Sequence, residues 1–201
     1  MSKNDSGVVA VIRTDNPDIA YTLVKAFDHT NVSAIEITMT VPNALDVIKR
    51  LLNEGVERLG GGTVRTVDQV EALSAMGAAF VVSPHSDELL IKRCAELKIP
   101  CTPGTMTPSE MVQALQWGAS SLKVFPISAL GGIKFVNSVL EPLSDLKLVV
   151  SGGVQAHEVQ SYLKAGCVGV CMGGALWDQE IAESGNIEKV IQYANSALAQ
   201  M

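Results

Sequence analysis

Aromatic side chains are scarce in this chain: two Trp, three Tyr and four Phe make up 4% of its 201 residues. Positive charge is short as well, with 15 Lys and Arg against 21 Asp and Glu and a formal net charge of −6. A nucleic-acid-binding surface needs a basic face and flat side chains on which bases stack, so the two shortages together exclude that partner class. They also mean that an anionic ligand must be held locally, by backbone amides and a few cations, because the field of the whole molecule repels it. No apolar run approaches membrane-spanning length, and Met1-Ser2-Lys3-Asn4-Asp5 has no signal-peptide core. The expectation is therefore no membrane partner and a cytoplasmic location.

Cysteine and histidine are equally sparse. Cys94, Cys101, Cys167 and Cys171 form no Cys-x-x-Cys pair, and His29, His85 and His157 lie far apart. Reduced, buried thiols are expected, and no local metal-binding cluster.

What is present is a regular alternation. Val8 to Ile12 is a β-rich run, followed by Asn16-Pro17, an N-cap with proline at the first helical position, and by Ile19, Leu23, Ala26 and Phe27 at helical spacing. The pattern returns at Ser33–Met39 with a helix opening near Pro42, and at Arg58–Thr63 with a capping box predicted at Thr66 and Gln69. It continues at Ala79–Ser83 with Ser86 as the expected cap, and at Ile99–Thr102, closed by Pro103-Gly104 before the strong helix start Thr107-Pro108-Ser109-Glu110. Three further units follow: Ser121–Phe125 with a helix around Phe135 to Leu140, Lys147–Val150 with a helix over about 157–164, and Val168–Met172 with a last helix opened by Asn186. Eight strand-helix units without a linker predict an α/β fold, a single (β/α)8 TIM barrel over residues 1–201 with residues 1–6 as an N-terminal extension.

One lysine departs from the apolar pattern. Lys123 stands between Leu122 and Val124, in a strand that Pro126 stops, where an ammonium ion is poorly solvated. A buried amine of this kind can form a Schiff base with a carbonyl substrate; the plainer alternative is a strand-end lysine that reaches out to water. Glu36 repeats the anomaly on the second strand, because alternation sets it opposite Ile35 and Ile37 and turns it, with Thr38, into the barrel. It reads either as an acid/base or as half of a structural ion pair.

In such barrels the active site lies at the C-terminal ends of the strands. Arg13, Glu36, Thr63, Lys123, Ser151 and the Gly173-Gly174 turn all fall there. Ser151-Gly152-Gly153 and Gly173-Gly174 follow the seventh and eighth strands, where glycine lets backbone amides approach a phosphate. Gly60-Gly61-Gly62 reads as clearance beside the site.

The ordered set Ile35-Glu36-Ile37-Thr38, Gly61-Gly62-Thr63-Val64, Ser83-Pro84, Pro103-Gly104, Leu122-Lys123-Val124-Phe125-Pro126, Ser151-Gly152-Gly153-Val154 and Gly173-Gly174 resembles the 2-keto-3-deoxy-6-phosphogluconate (KDPG) / 4-hydroxy-2-oxoglutarate aldolase family from about Val8 to Leu198. The resemblance implies a class I aldolase that cleaves a 2-keto-4-hydroxy acid, KDPG and/or 4-hydroxy-2-oxoglutarate, to pyruvate and an aldehyde, glyceraldehyde 3-phosphate or glyoxylate. Lys123 would form the Schiff base and Glu36 would be the acid/base. Thr63, Pro84 and Phe125 would shape the pyruvate pocket, Arg13 would meet the substrate carboxylate or the barrel mouth, and Gly152, Gly153, Gly173 and Gly174 would bind phosphate. The family pattern further implies a phosphorylated keto-acid substrate, a homotrimer, and no metal or organic cofactor, since the imine serves as electron sink. Three positions depart from that pattern: Thr40 where many members carry arginine, Ser151 where threonine is more frequent, and Gly174-Ala175 where a serine often adjoins the glycines. The competing readings are a phosphate-binding barrel isomerase or epimerase that uses Glu36 without a Schiff base, and a non-catalytic sugar-phosphate-binding protein.

Overall fold

The computed structural model describes residues 6–201; of the expected N-terminal extension, residues 1–5 lie outside the described residues. Nine strand segments form one sheet: β1 (Val8–Ile12), β2 (Ala34–Thr38), β3 (Leu59–Gly62), β4 (Val81–Val82), β5 (Cys101–Thr102), β6 (Gly104–Thr105), β7 (Leu122–Val124), β8 (Leu148–Val150) and β9 (Gly169–Met172). All pairings are parallel, in the order β5-β4-β3-β2-β1-β9-β8-β7-β6.

The two ends of that order are one stretch of chain. The carbonyls of Pro100 and Thr102 accept from Val81 and Ser83 on the β4 side, while those of Cys101, Pro103 and Thr105 accept from Ser120, Lys123 and Phe125 on the β7 side. The ring is therefore closed by hydrogen bonds. The expected fifth strand does not end at Pro103: it loses one N–H donor there and continues as β6, because a proline carbonyl still accepts. Eight strand positions thus appear as nine segments, and the (β/α)8 TIM-barrel architecture stands.

Alternation sorts each strand. Val8, Ala10 and Ile12 of β1, Ile35 and Ile37 of β2, Leu122 and Val124 of β7, and Leu148 and Val150 of β8 are buried between sheet and helices. Against them pack apolar stripes of the helices, such as Ile19, Leu23, Val24 and Phe27 of α1 (Pro17–Phe27) and Ile48 and Leu51 of α2 (Ala44–Asn53). The opposite parity faces the barrel axis and carries Glu36, Lys123 and Cys171.

Helix starts follow their caps. Asn16 accepts from the amides of Asp18 and Ile19, and the Thr107/Glu110 capping box of α5 (Pro108–Gln116) is complete. The predicted box ahead of α3 (Val67–Ala75) is half made: Thr66 accepts from the Gln69 amide, but the Gln69 side chain accepts from Arg65 instead. Ser86 is not the cap of α4 (Glu88–Glu96); Asp87 accepts from the Leu90 amide at 2.8 Å, and Ser86 Oγ donates to the Gly104 carbonyl at 3.0 Å, tying the β4 loop to β6. Helix α2 opens two residues beyond Pro42, after Asn43 in the left-handed conformation. The helix expected over 157–164 is a 3-10 turn, Ala156–Glu158, running into α7 (Val159–Lys164). After α6 (Ile133–Leu140), the chain ends with the short α8 (Gln179–Glu183) and α9 (Ile187–Leu198), the latter capped by Asn186. No described helix is long and apolar enough to cross a membrane.

Candidate active site

Glu36 lies mid-strand in β2, in register with Val11 of β1 and Gly60 of β3, and is 1% exposed. Its carboxyl group occupies the space a side chain at position 62 would need: a Cβ built on Gly62 falls 1.7 Å from Glu36 Oε1 and 2.2 Å from its carboxyl carbon. Glu36 Oε2 is buried with no hydrogen-bond partner. Desolvation by burial raises the carboxyl above the usual carboxylate range, and the charges of Lys123 and Arg13 oppose that rise without cancelling it. A buried carboxyl with one unpartnered oxygen holds its proton more tightly than an ordinary carboxyl and can exchange it with whatever enters.

Lys123, in register with Gly104 on one side and Val149 on the other, is 7% exposed. Its Nζ sits 4.8 Å from the centroid of the Phe125 ring. Glu36 and Lys123 feel each other's charge, yet no direct ion pair joins them among the described residues. The structural ion pair considered for Glu36 is not made among the described residues.

Arg13 leaves the end of β1 and is held by two hydroxyls, donating to Thr40 Oγ1 at 2.9 Å and to Thr63 Oγ1 at 3.1 Å. Thr38 completes the row, donating to the Ile12 carbonyl and contacting Thr40 at 2.8 Å. These partners are neutral, so they orient the guanidinium and leave its charge available to an anion. Thr63 adopts φ 55°, a left-handed conformation that costs a residue with a branched Cβ, and its hydroxyl is one of the two that Arg13 grips.

Ser151, Gly152 and Gly153 turn away from β8 with φ of 91° and 82° at the two glycines, a conformation side chains resist. Gly173 follows β9, and Gly174 opens a 3-10 turn over Gly174–Leu176, with open space where its Cβ would stand.

These groups line one cavity of about 480 Å³. All eleven residues singled out in the sequence are on its wall: Arg13, Glu36, Thr63, Pro84, Lys123, Phe125, Ser151, Gly152, Gly153, Gly173 and Gly174. Thr40 reaches it only through Arg13. Sequence reasoning missed Cys171 and Trp177, which also line it. Burial pushes the Cys171 thiol up to about 12, with the Glu36 charge adding to the rise, so it remains an S–H group. Its parity with Gly173 on the last strand was the available signal; Trp177 lies outside any strand and offered none. No group of three or more acidic, His or Cys side chains suited to a metal ion occurs among the described residues.

A closed parallel barrel that collects a buried amine and a partnerless carboxyl in one cavity at the ends of its strands defines a barrel enzyme of the amine-and-carboxyl type. Comparison with known proteins narrows the class. The family described as "Aldolase: KDPG and KHG aldolase" matches residues 2–193, and the chain belongs to it. Among curated relatives, a 2-dehydro-3-deoxy-phosphogluconate aldolase of Haemophilus influenzae is 32% identical over 91% of this chain and 87% of its own. A KHG/KDPG aldolase of Escherichia coli is 31% identical over 95% and 90%. Among solved structures, a KDPG aldolase of Legionella pneumophila, with pyruvate captured as a covalent carbinolamine, superposes with a TM-score of 0.86 at 26% identity, covering 96% of this chain and 95% of that one. The protein is thus an aldolase, a lyase, and the isomerase and binding-protein readings are set aside.

Proposed function

We propose that the protein cleaves a 2-keto-4-hydroxy acid, KDPG or 4-hydroxy-2-oxoglutarate, to pyruvate and glyceraldehyde 3-phosphate or glyoxylate through a Schiff base on Lys123. The observation that carries the reading is the shared cavity of Lys123 and Glu36, close enough to sense each other's charge and free of a direct ion pair. Lys123, as the amine, adds to C2 of the substrate, and Glu36 delivers a proton to the departing oxygen, which leaves as water. The protonated imine is an electron sink. Glu36, now a carboxylate, takes the C4 hydroxyl proton, the C3–C4 bond breaks with its electron pair passing to the imine as an enamine, and the aldehyde departs. Reprotonation at C3 and addition of water release pyruvate and restore the amine.

Arg13 suits the substrate carboxylate, since its neutral partners leave its charge uncompensated. Among the described residues it is also the one guanidinium on the cavity, and Thr40 beside it supplies no cation. Thr63, Pro84 and Phe125 share the cavity wall with the amine and are assigned to the pyruvate half. The amides of Gly152, Gly153, Gly173 and Gly174 are assigned to a phosphate on the aldehyde half, with the Ser151 hydroxyl beside them. Similarity to the family supports a cytoplasmic homotrimer.

Borohydride added with pyruvate should trap a covalent adduct on Lys123, located by mass spectrometry of digested protein. An inactivated protein with unmodified Lys123 would eliminate the mechanism.

A further inference from the structure

The amine of Lys123 faces a ring rather than a counter-ion. Among the described residues its Nζ enters no ion pair and no hydrogen bond, and it stands over the Phe125 ring, 4.8 Å from the centroid. A positive charge within about 6 Å of a ring centroid is drawn to the electron-rich face of the ring. Backbone sets the ring in place. The Phe125 amide donates to the Thr105 carbonyl at 3.3 Å, and the turn after β8 comes so close that a Cβ on Gly152 would lie 3.1 Å from ring Cδ2. Phe125 nevertheless stays 37% exposed and on the cavity wall, so its ring is open toward the reacting groups.

Charge at Nζ changes through the proposed cycle. The amine adds to C2 and passes one proton to the oxygen, Glu36 supplies a second, water leaves, and the nitrogen keeps one proton and a positive charge. Cleavage of C3–C4 sends its electron pair into the imine and removes that charge, and reprotonation at C3 restores it until water adds. Arg13 brings positive charge to the same cavity, and Glu36 is its one carboxylate among the described residues. Glu36 gains and loses its proton at these same steps, so its compensation is intermittent. The ring's is constant. A ring also takes no proton from the iminium, whereas a carboxylate at the nitrogen can remove it and quench the electron sink.

We propose that Phe125 is a catalytic residue whose ring face stabilises the positive charge of the Schiff base on Lys123 Nζ. The inference rests on the Schiff-base reading of Lys123.

The test replaces Phe125 in the whole protein by phenylalanine carrying one, two or three ring fluorines, introduced by codon suppression. Fluorine drains the ring face of electron density stepwise at nearly constant shape. The readout is the initial rate of adduct formation with borohydride at saturating pyruvate, followed by intact mass. The nitrogen is then divided between a neutral carbinolamine and the charged iminium, and only the iminium accepts hydride at C2, its C=N electron pair passing to nitrogen to leave a secondary amine. The rate should fall with each fluorine, to about 2- to 5-fold below the unsubstituted protein in the trifluoro form, the range for a partly exposed ring. Phe125→Leu should fall similarly and Phe125→Tyr should keep most of the rate; if the leucine variant does not fold, the fluorinated series alone decides. Rates that stay equal or rise along that series overturn the proposal, whatever leucine does, since the ring then only fills space, and leave the aldolase reading intact. No adduct in the unsubstituted protein overturns the Schiff-base reading along with it.

Discussion

Glu36 is costly to the fold, and the direction of that cost follows from its environment. Burial raises its carboxyl above the unfolded value, so the native state holds the proton more tightly than the unfolded chain. Stability is then fully present below the unfolded value, near 4.3, and declines as pH climbs toward the folded value. Glu36→Gln removes the titration. The variant should melt above the wild type at pH 7, with the gap closing below about pH 4, while turnover falls about 10²- to 10⁴-fold. Thermal melts across that range together with steady-state rates check both halves; near-normal turnover would assign the acid/base to another group. Gly62→Ala reaches the same carboxyl by steric means. The added methyl falls on the carboxyl, so activity should drop with Lys123 still present, at a stability loss of about 1–3 kcal/mol by denaturant titration. At this scale Lys123 and Glu36 were legible because a charged residue in a period-two apolar strand contradicts its neighbours. Cys171 was not, because a thiol in such a strand reads as ordinary core. The grip of Arg13 on Thr40 and Thr63 was also hidden, since it joins residues 27 and 50 positions apart.

Among the elements, helix starts that use a side chain were readable, and those that use backbone conformation were not. Asn16, Thr107 and Asn186 announce themselves by residue type and spacing. Asn43 opens α2 with no side-chain bond, through a left-handed turn that residue type alone does not mark. Ser86 and Asp87 are adjacent and chemically able to play the same part, and tertiary structure separated them by giving Ser86 the Gly104 carbonyl. Asp87→Ala should therefore cost about 1 kcal/mol, within the range for a lost N-cap, measured by denaturant unfolding; a change within error would return the capping role to Ser86. Proline signals a stop to strand five in the sequence, whereas the ladder there depends on carbonyls, which Pro103 keeps.

For the whole molecule, the eight-fold alternation made the barrel readable, because each unit repeats the same two periodicities with short connections. What the alternation could not show is how full the barrel is. Interior volume depends on side chains from strands far apart in sequence, and the cavity at the strand ends draws its wall from positions 11 to 177. Assembly is the prediction that belongs to this scale. Light scattering coupled to gel filtration should give three times the 21.3 kDa chain mass if the family's trimer is formed here, and a monomer at micromolar concentration would remove that expectation.

The scarcity of aromatic residues has an optical consequence. Of the two tryptophans, Trp177 is on the wall of the active-site cavity and Trp117 is not. Exchanging Trp117 for phenylalanine would leave a single indole emitter beside the reacting groups, so the arrival and departure of a keto acid could be followed by light emission with no label attached.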